Sequence, residues 1–233
     1  MIQKIRFANL DFDYDQKILK EEILSISSSN MQNLSAKSIV LSDQWRIPLF
    51  SDEQINDTTI IDDNGNLIRK KNPGWIGIGL TMLPENTKSK GGAVRIRNSN
   101  TNESWVWRED IQTPYIRELV ELLGFKTLHT IRIMMLPAGS IGLVHNDDVD
   151  RNYYKNGRLS VTFNVDDGGS PLVFLEKDKR YDMFPNKTFI FRDDCWHGIP
   201  QVSRQRIQVR MSGIIDEENL ESLLDFNNIV MTN

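Results

Sequence analysis

The sequence predicts a mainly β fold with flanking helices, and three observations carry that expectation. From Lys126 to Ile215, short alternating apolar and polar segments are separated by Pro137-Ala138-Gly139, Asp167-Gly168-Gly169, Pro185-Asn186 and Gly198-Ile199-Pro200, turn-forming clusters at the spacing of a β-sandwich or barrel. Helical patterning is confined to short stretches on either side of that block. Apolar residues make up 39% of the 233 and aromatics 9%, enough to fill a core, and no repeat or low-complexity linker divides the chain. A single domain over 1–233 follows. Within it, 1–125 is expected to supply helices and strands that support the core and its pocket, 126–215 the β core, and 216–233 a packing helix and tail.

Taken in order, DQKILKEEILSIS at 15–27 carries Ile18, Leu19, Ile23 and Ile26 after a capping Asp15, which predicts a short amphipathic helix lying on a sheet. TTIIDDNGNLIRK, within 57–70, has two β-prone arms around Asn64-Gly65, a pair suited to the positive φ angles of a hairpin turn. In WIGIGLTML at 75–83, Ile76, Ile78 and Leu80 alternate with Gly77 and Gly79, so one face of the strand has no side chains and something can approach it closely. TPYIRELVELLG at 113–124 predicts the clearest helix: Thr113 as cap, Pro114 at the first position, Ile116, Leu119 and Leu123 on one stripe, Gly124 as stop. DEENLESLLDF at 216–226, opened by Asp216, predicts a last small helix.

The formal net charge of -4, with acids and bases intermixed, provides no field for a nucleic-acid backbone, so no nucleic-acid partner is expected. No apolar run approaches the length needed to cross a bilayer, and the opening MIQKIRFANLDFDYD lacks the form of a secretion signal, so a soluble cytoplasmic protein is the expectation. The only cysteine, Cys195, excludes an intramolecular disulfide.

The chemistry sits on two of the three histidines. In His145-Asn146-Asp147 an imidazole and a carboxylate stand two residues apart, which on an extended segment puts them on one face. His197, just after the strand TFIFRDD, can supply a third ligand from a neighbouring strand. Two imidazoles and one carboxylate on one face of an octahedron leave three positions open, the arrangement of non-haem Fe(II) oxygenases. His129 reads as a strand residue satisfied by its neighbours. Two further strands carry polar faces: Arg158, Ser160, Thr162 and Asn164 in RLSVTFNV, and Arg204, Arg206, Gln208 and Arg210 in SRQRIQVRM. Taken singly, such faces are most often wet. Beside a metal triad, their arginines can instead hold a carboxylate through a planar, bidentate fork.

Taken together, Arg132, Pro137-Ala138-Gly139, His145-Asn146-Asp147, Arg158-Leu159-Ser160, Pro185-Asn186, His197 and Arg206 resemble, in order and spacing, the aspartyl/asparaginyl β-hydroxylase-like branch of the Fe(II)/2-oxoglutarate dioxygenases. Asn186 stands where that pattern has a glycine, and the segment after His197 is about one residue shorter. The resemblance implies a double-stranded β-helix, the jelly-roll core shared with cupins. It also implies Fe(II) on His145, Asp147 and His197, with 2-oxoglutarate and O2 as co-substrates. The implied reaction is hydroxylation of an unactivated C–H bond of an amino acid, free or in a peptide, with release of succinate and CO2. Arg206 is the first candidate for the far carboxylate of 2-oxoglutarate and Arg210, which begins Arg-Met-Ser, the second; Arg158 and Ser160 match further co-substrate positions. Two alternatives share the scaffold: a cupin-like metal-binding or sensing module without oxygen chemistry, and a nucleic-acid demethylase.

Overall fold

Strict alternation gives a strand two chemically different faces, and the long strands of this chain bury both. The computed structural model describes residues 5–26, 32–33, 60–61, 67–68, 75–82, 104–145, 158–176, 179–192 and 195–231. In chain order these form β1 (Ile5–Leu10), α1 (Gln16–Ser25), β2 (Gln32–Asn33), β3 (Ile60–Ile61), β4 (Leu67–Ile68), β5 (Ile76–Gly79), β6 (Thr81–Met82), β7 (Val106–Trp107), α2 (Pro114–Leu123), β8 (Phe125–Leu136) and β9 (Gly142–His145). There follow β10 (Arg158–Asp167), β11 (Leu172–Glu176), β12 (Lys179–Met183), β13 (Thr188–Phe191), β14 (Trp196–Ile199), β15 (Arg206–Ile215), α3 (Glu217–Leu223) and β16 (Leu224–Met231).

An eight-stranded antiparallel sheet runs β16-β1-β13-β10-β15-β8-β5-β2 and faces a four-stranded sheet, β12-β11-β14-β9. The chain is therefore mainly β with a jelly-roll core, two sheets closing on one interior. On the outer face of the large sheet, Ile131, Ile133, Val161, Phe163, Ile207, Val209 and Met211 meet Leu19 and Ile23 of α1 and Ile116, Leu119 and Leu123 of α2 in one apolar cluster. Each fully buried aliphatic or aromatic side chain of this kind contributes about 1.5–3 kcal/mol, which docks helices too short to stand alone. Between the sheets lies a second, aromatic cluster: Phe7, Phe189 and Phe191 from the large sheet against Leu172, Phe174 and Ile199 from the small one.

The helix ends follow local chemistry with one exception. Asp15 caps α1 by accepting hydrogen bonds from the backbone N–H groups of Lys17 and Ile18 at 2.9 and 3.0 Å. Gly124 ends α2 in the left-handed region at φ 66°. Thr113, however, makes no capping bond; the carboxylate of Glu22, from α1, accepts from Tyr115 N and Ile116 N at 2.8 and 2.9 Å instead. A tertiary contact thus replaces the local cap and ties the two helices together. The arms around Asn64-Gly65 pair as β3 and β4, with Ile61 opposite Leu67; the turn itself is outside the described residues.

Both chain ends enter the core. β1 lies between β13 and β16, and β5 extends the large sheet beyond β8. The C-terminal helix is shorter than its periodicity suggests: α3 stops at Leu223, and residues 224–231 form β16 on β1 rather than a tail. Among the described residues no helix is long and apolar enough to cross a membrane.

Candidate functional site

The small sheet brings the two histidines together. β14 pairs antiparallel with β9 so that His197 stands directly opposite His145, and cross-strand partners share one face of a sheet. On its other side His197 is the partner of Phe174, whose side chain lies in the aromatic cluster between the sheets, so this row faces the interior. His197 is 4% exposed; its ring contacts Phe191 at 5.2 Å and Phe174 at 6.4 Å between centroids. Its Nδ1 lies 2.8 Å from the Cys195 carbonyl, an acceptor, so Nδ1 carries a proton and Nε2 is the nitrogen left for a ligand. That tautomer is the one that ligates a metal, with its orientation set from behind by a backbone group. Asp147 lies outside the described residues, and among those described no group of three acidic, histidine or cysteine side chains gathers.

The large sheet contributes the opposite wall. Its inner face carries Ser160, Thr162 and Asn164 from β10 and Arg206, Gln208, Arg210 and Ser212 from β15, paired as Ser160 with Ser212, Thr162 with Arg210 and Asn164 with Gln208. These polar faces are not wet: Ser160, Thr162, Asn164, Arg206, Gln208 and Ser212 are all buried. The Ser160 and Ser212 hydroxyls share a hydrogen bond of 2.9 Å. Arg158 opens β10 opposite Ile214. Among the described residues the Thr162 hydroxyl is buried with no hydrogen-bond partner, a costly arrangement that a ligand would relieve.

Arg206, fully enclosed at 0% exposure, occupies the deep end of this face opposite Leu136. Its Nη1 donates to the carbonyls of Asp167 and Ser170 at 2.8 and 2.7 Å. With the Gln208 amide oriented so that its oxygen faces the guanidinium, Nε and Nη2 each donate to that oxygen at 3.1 Å. The Nε/Nη2 edge is the one a carboxylate takes in a bidentate pair, and here a neutral amide holds it. Burial pushes the Arg206 pKa down to about 10, with Asp167 and Asp166 opposing the shift. Those two carboxylates are themselves engaged outside, Asp166 by Arg204 at 3.0 Å and Lys20 at 3.3 Å, and Asp167 by Arg204. Among the described residues the contacts of this buried cation are all neutral, so an anion reaching it would be favoured.

Arg210 is half-buried, more exposed than Arg206. Its guanidinium stacks over the Phe191 ring at 4.7 Å, and Phe191 in turn abuts His197, so Arg210 and the histidine row line one interior. Tertiary structure adds residues that spacing did not single out: Phe174 and Phe191, which wall His197, and Gln208, which holds the Arg206 fork. Alternation already placed Gln208 and Thr162 on the polar faces, whereas an aromatic in an apolar strand gives no such signal. His129 is a buried residue of β8.

The residue types present fit a metal with an anionic co-substrate: two histidines paired in register, and, among the described residues, a buried guanidinium with neutral contacts and a buried hydroxyl without a hydrogen-bond partner. No family model matches the chain, and no curated protein matches it. Similar solved structures include an oxidoreductase of the 2OG-Fe(II) oxygenase family from Burkholderia pseudomallei, at 12% identity and TM-score 0.40 over 60% of this chain and 68% of that one. A prolyl-4-hydroxylase from Pseudomonas putida matches at 18% identity and TM-score 0.31 over 43% of this chain and 62% of that one. EvdMO1 matches at 12% identity and TM-score 0.39 over 91% of this chain but 47% of that one. At such scores none of these likenesses bears on this chain's activity.

Proposed function

We propose that this chain is an Fe(II)/2-oxoglutarate-dependent oxygenase that hydroxylates an amino acid, free or in a peptide. The observation that carries the reading is the register of β14 on β9, with His197 opposite His145 and Asp147 two residues further along the chain. Fe(II), with 2-oxoglutarate and O2, would supply oxidation of an unactivated C–H bond, giving an alcohol, succinate and CO2.

The chain's own part is to bind, orient and exclude water. His145, Asp147 and His197 would hold the metal, with the Nδ1–H of His197 directed at the Cys195 carbonyl. Phe174 and Phe191 wall that imidazole from solvent. Arg206, whose Nη1 is fixed to Asp167 O and Ser170 O and whose other edge faces the Gln208 amide, would hold the far carboxylate of 2-oxoglutarate. Ser160 belongs to the same polar wall, Arg158 opens β10 opposite Ile214, and Arg210 is half-buried on β15.

Anaerobic addition of Fe(II) and then 2-oxoglutarate should produce the weak visible charge-transfer absorption of the chelate, followed by succinate release in air with a panel of amino acids. His197→Ala should abolish both. Metal binding with no succinate under any condition would instead favour the cupin-like module; no metal binding at all would overturn the site.

A further inference from the structure

The edge of Arg206 that suits a carboxylate is already occupied from within the chain. One oxygen, that of the Gln208 amide, accepts from both Nε and Nη2 at 3.1 Å, where a carboxylate would set one oxygen against each nitrogen. The guanidinium is not free to turn away, because Nη1 is held by the carbonyls of Asp167 and Ser170 at 2.8 and 2.7 Å. Arg206 and Gln208 stand two residues apart on β15, so they project to the same face, and both are buried. An anion that reaches this edge has to displace the amide.

A buried amide that loses its partner needs another. Asn164 pairs with Gln208 and Thr162 with Arg210, which makes Thr162 a diagonal neighbour of Gln208 on the inner face. Diagonal neighbours lie about 7–8 Å apart, within reach of a long side chain. Thr162 is 1% exposed, and its hydroxyl has no hydrogen-bond partner among the described residues. The other polar groups beside it on β10 are engaged: the Ser160 hydroxyl shares a bond with that of Ser212, and the Asn164 amide donates to the Pro185 carbonyl at 3.4 Å.

We propose that Gln208 is a two-position residue: its amide closes the Arg206 fork when no dicarboxylate is bound and moves onto the Thr162 hydroxyl when one is, so that this pair sets how tightly the co-substrate is held. Thr162 acts through Gln208, and Gln208 through Arg206; both are positioning residues. The proposal rests on the oxygenase reading for the identity of the anion, 2-oxoglutarate, whereas the closed position can be tested with no ligand at all.

The test is anaerobic calorimetry of 2-oxoglutarate binding to the whole, Fe(II)-loaded protein, together with thermal unfolding of the unliganded samples. Gln208→Leu removes the internal competitor and should tighten 2-oxoglutarate roughly 5- to 10-fold, while Thr162→Val removes the second position and should weaken it by a similar factor. In the Gln208→Leu background Thr162→Val should have no further effect, because no amide is left for the hydroxyl to take. A hydroxyl that touched the co-substrate directly would weaken binding equally in both backgrounds. Without ligand, Gln208→Glu gives the fork a carboxylate of its own and should raise Tm by several degrees; the same variant should lose 2-oxoglutarate binding. Additive effects of the two substitutions, unchanged affinity in Gln208→Leu, or a Gln208→Glu protein with a lowered Tm would each overturn the proposal alone. Absence of 2-oxoglutarate binding in the wild type and in Gln208→Leu alike would overturn the oxygenase reading with it.

Discussion

Replacing Arg206 with lysine keeps a cation at the deep end of the interior and removes only the fork. The guanidinium makes two bonds through Nη1, to Asp167 O at 2.8 Å and Ser170 O at 2.7 Å, and offers Nε and Nη2 together along its other edge. A lysine ammonium has no second edge and can satisfy either the two carbonyls or an incoming carboxylate. Against a bound 2-oxoglutarate the loss is about one charge-assisted hydrogen bond together with its alignment, about 2–3 kcal/mol, or roughly 30- to 150-fold in affinity. Leaving one buried carbonyl without its donor costs a further ~1–3 kcal/mol of folding stability. Anaerobic calorimetry of 2-oxoglutarate binding to the Fe(II)-loaded variant reads the first quantity, and urea denaturation of the same sample the second. An affinity within about threefold of the wild type, in a variant that has lost stability, would refute the assignment. Arg206 would then serve only the 167–170 turn, and Arg210 would be the co-substrate arginine.

Other perturbations follow from the same contacts. Glu22→Ala removes the carboxylate that caps α2 across two backbone N–H groups and should lower unfolding free energy by about 1–2 kcal/mol by denaturant titration, whereas Thr113→Val should lower it little or not at all. Gly168 sits at φ +66°, and a Cβ there would come within 2.9 Å of Arg206 Cβ and of Val202 Cγ1, so Gly168→Ala should cost about 2 kcal/mol or more and weaken 2-oxoglutarate by displacing Arg206. Desolvation would raise the Asp166 pKa, but hydrogen bonds from Gly168 N, Arg204 and Lys20 outweigh it and hold the folded value below the usual 3.8. A carboxylate depressed in the folded state contributes stability that is present above its unfolded pKa and is lost as pH falls through the folded one. Unfolding free energy should therefore decline below about pH 4, and Arg204→Gln should flatten that acid limb; an unchanged slope between pH 5 and 3 would argue against the Asp166 cluster.

Legibility in the sequence varied with how local the cause was. The cap of α1 and the glycine stop of α2 need only neighbours within a turn, and both stand where the pattern puts them. The cap of α2 does not, because a carboxylate ninety-odd residues away in the chain outcompetes Thr113 for the first N–H groups. At the C-terminus, Leu220 keeps helical register with Leu223 and Leu224, yet β1 offers an unpaired edge and the chain leaves the helix at Leu224 to take it. Edge pairing depends on what lies beside a segment, and periodicity carries no record of that.

The candidate site divides along the same line. His145, His197 and the polar sides of β10 and β15 could be read from residue type and period alone, because alternation fixes which residues share a face. Which faces turn inward, and what stands opposite what, required the pairing of distant strands. Only tertiary structure set His197 opposite His145, closed the Arg206 fork on Gln208 rather than on a carboxylate, and put Thr162 diagonal to Gln208. The physical reason is that a strand's own period determines its two sides, whereas the register between strands is set by the whole sheet and by the cores packed on each of its faces.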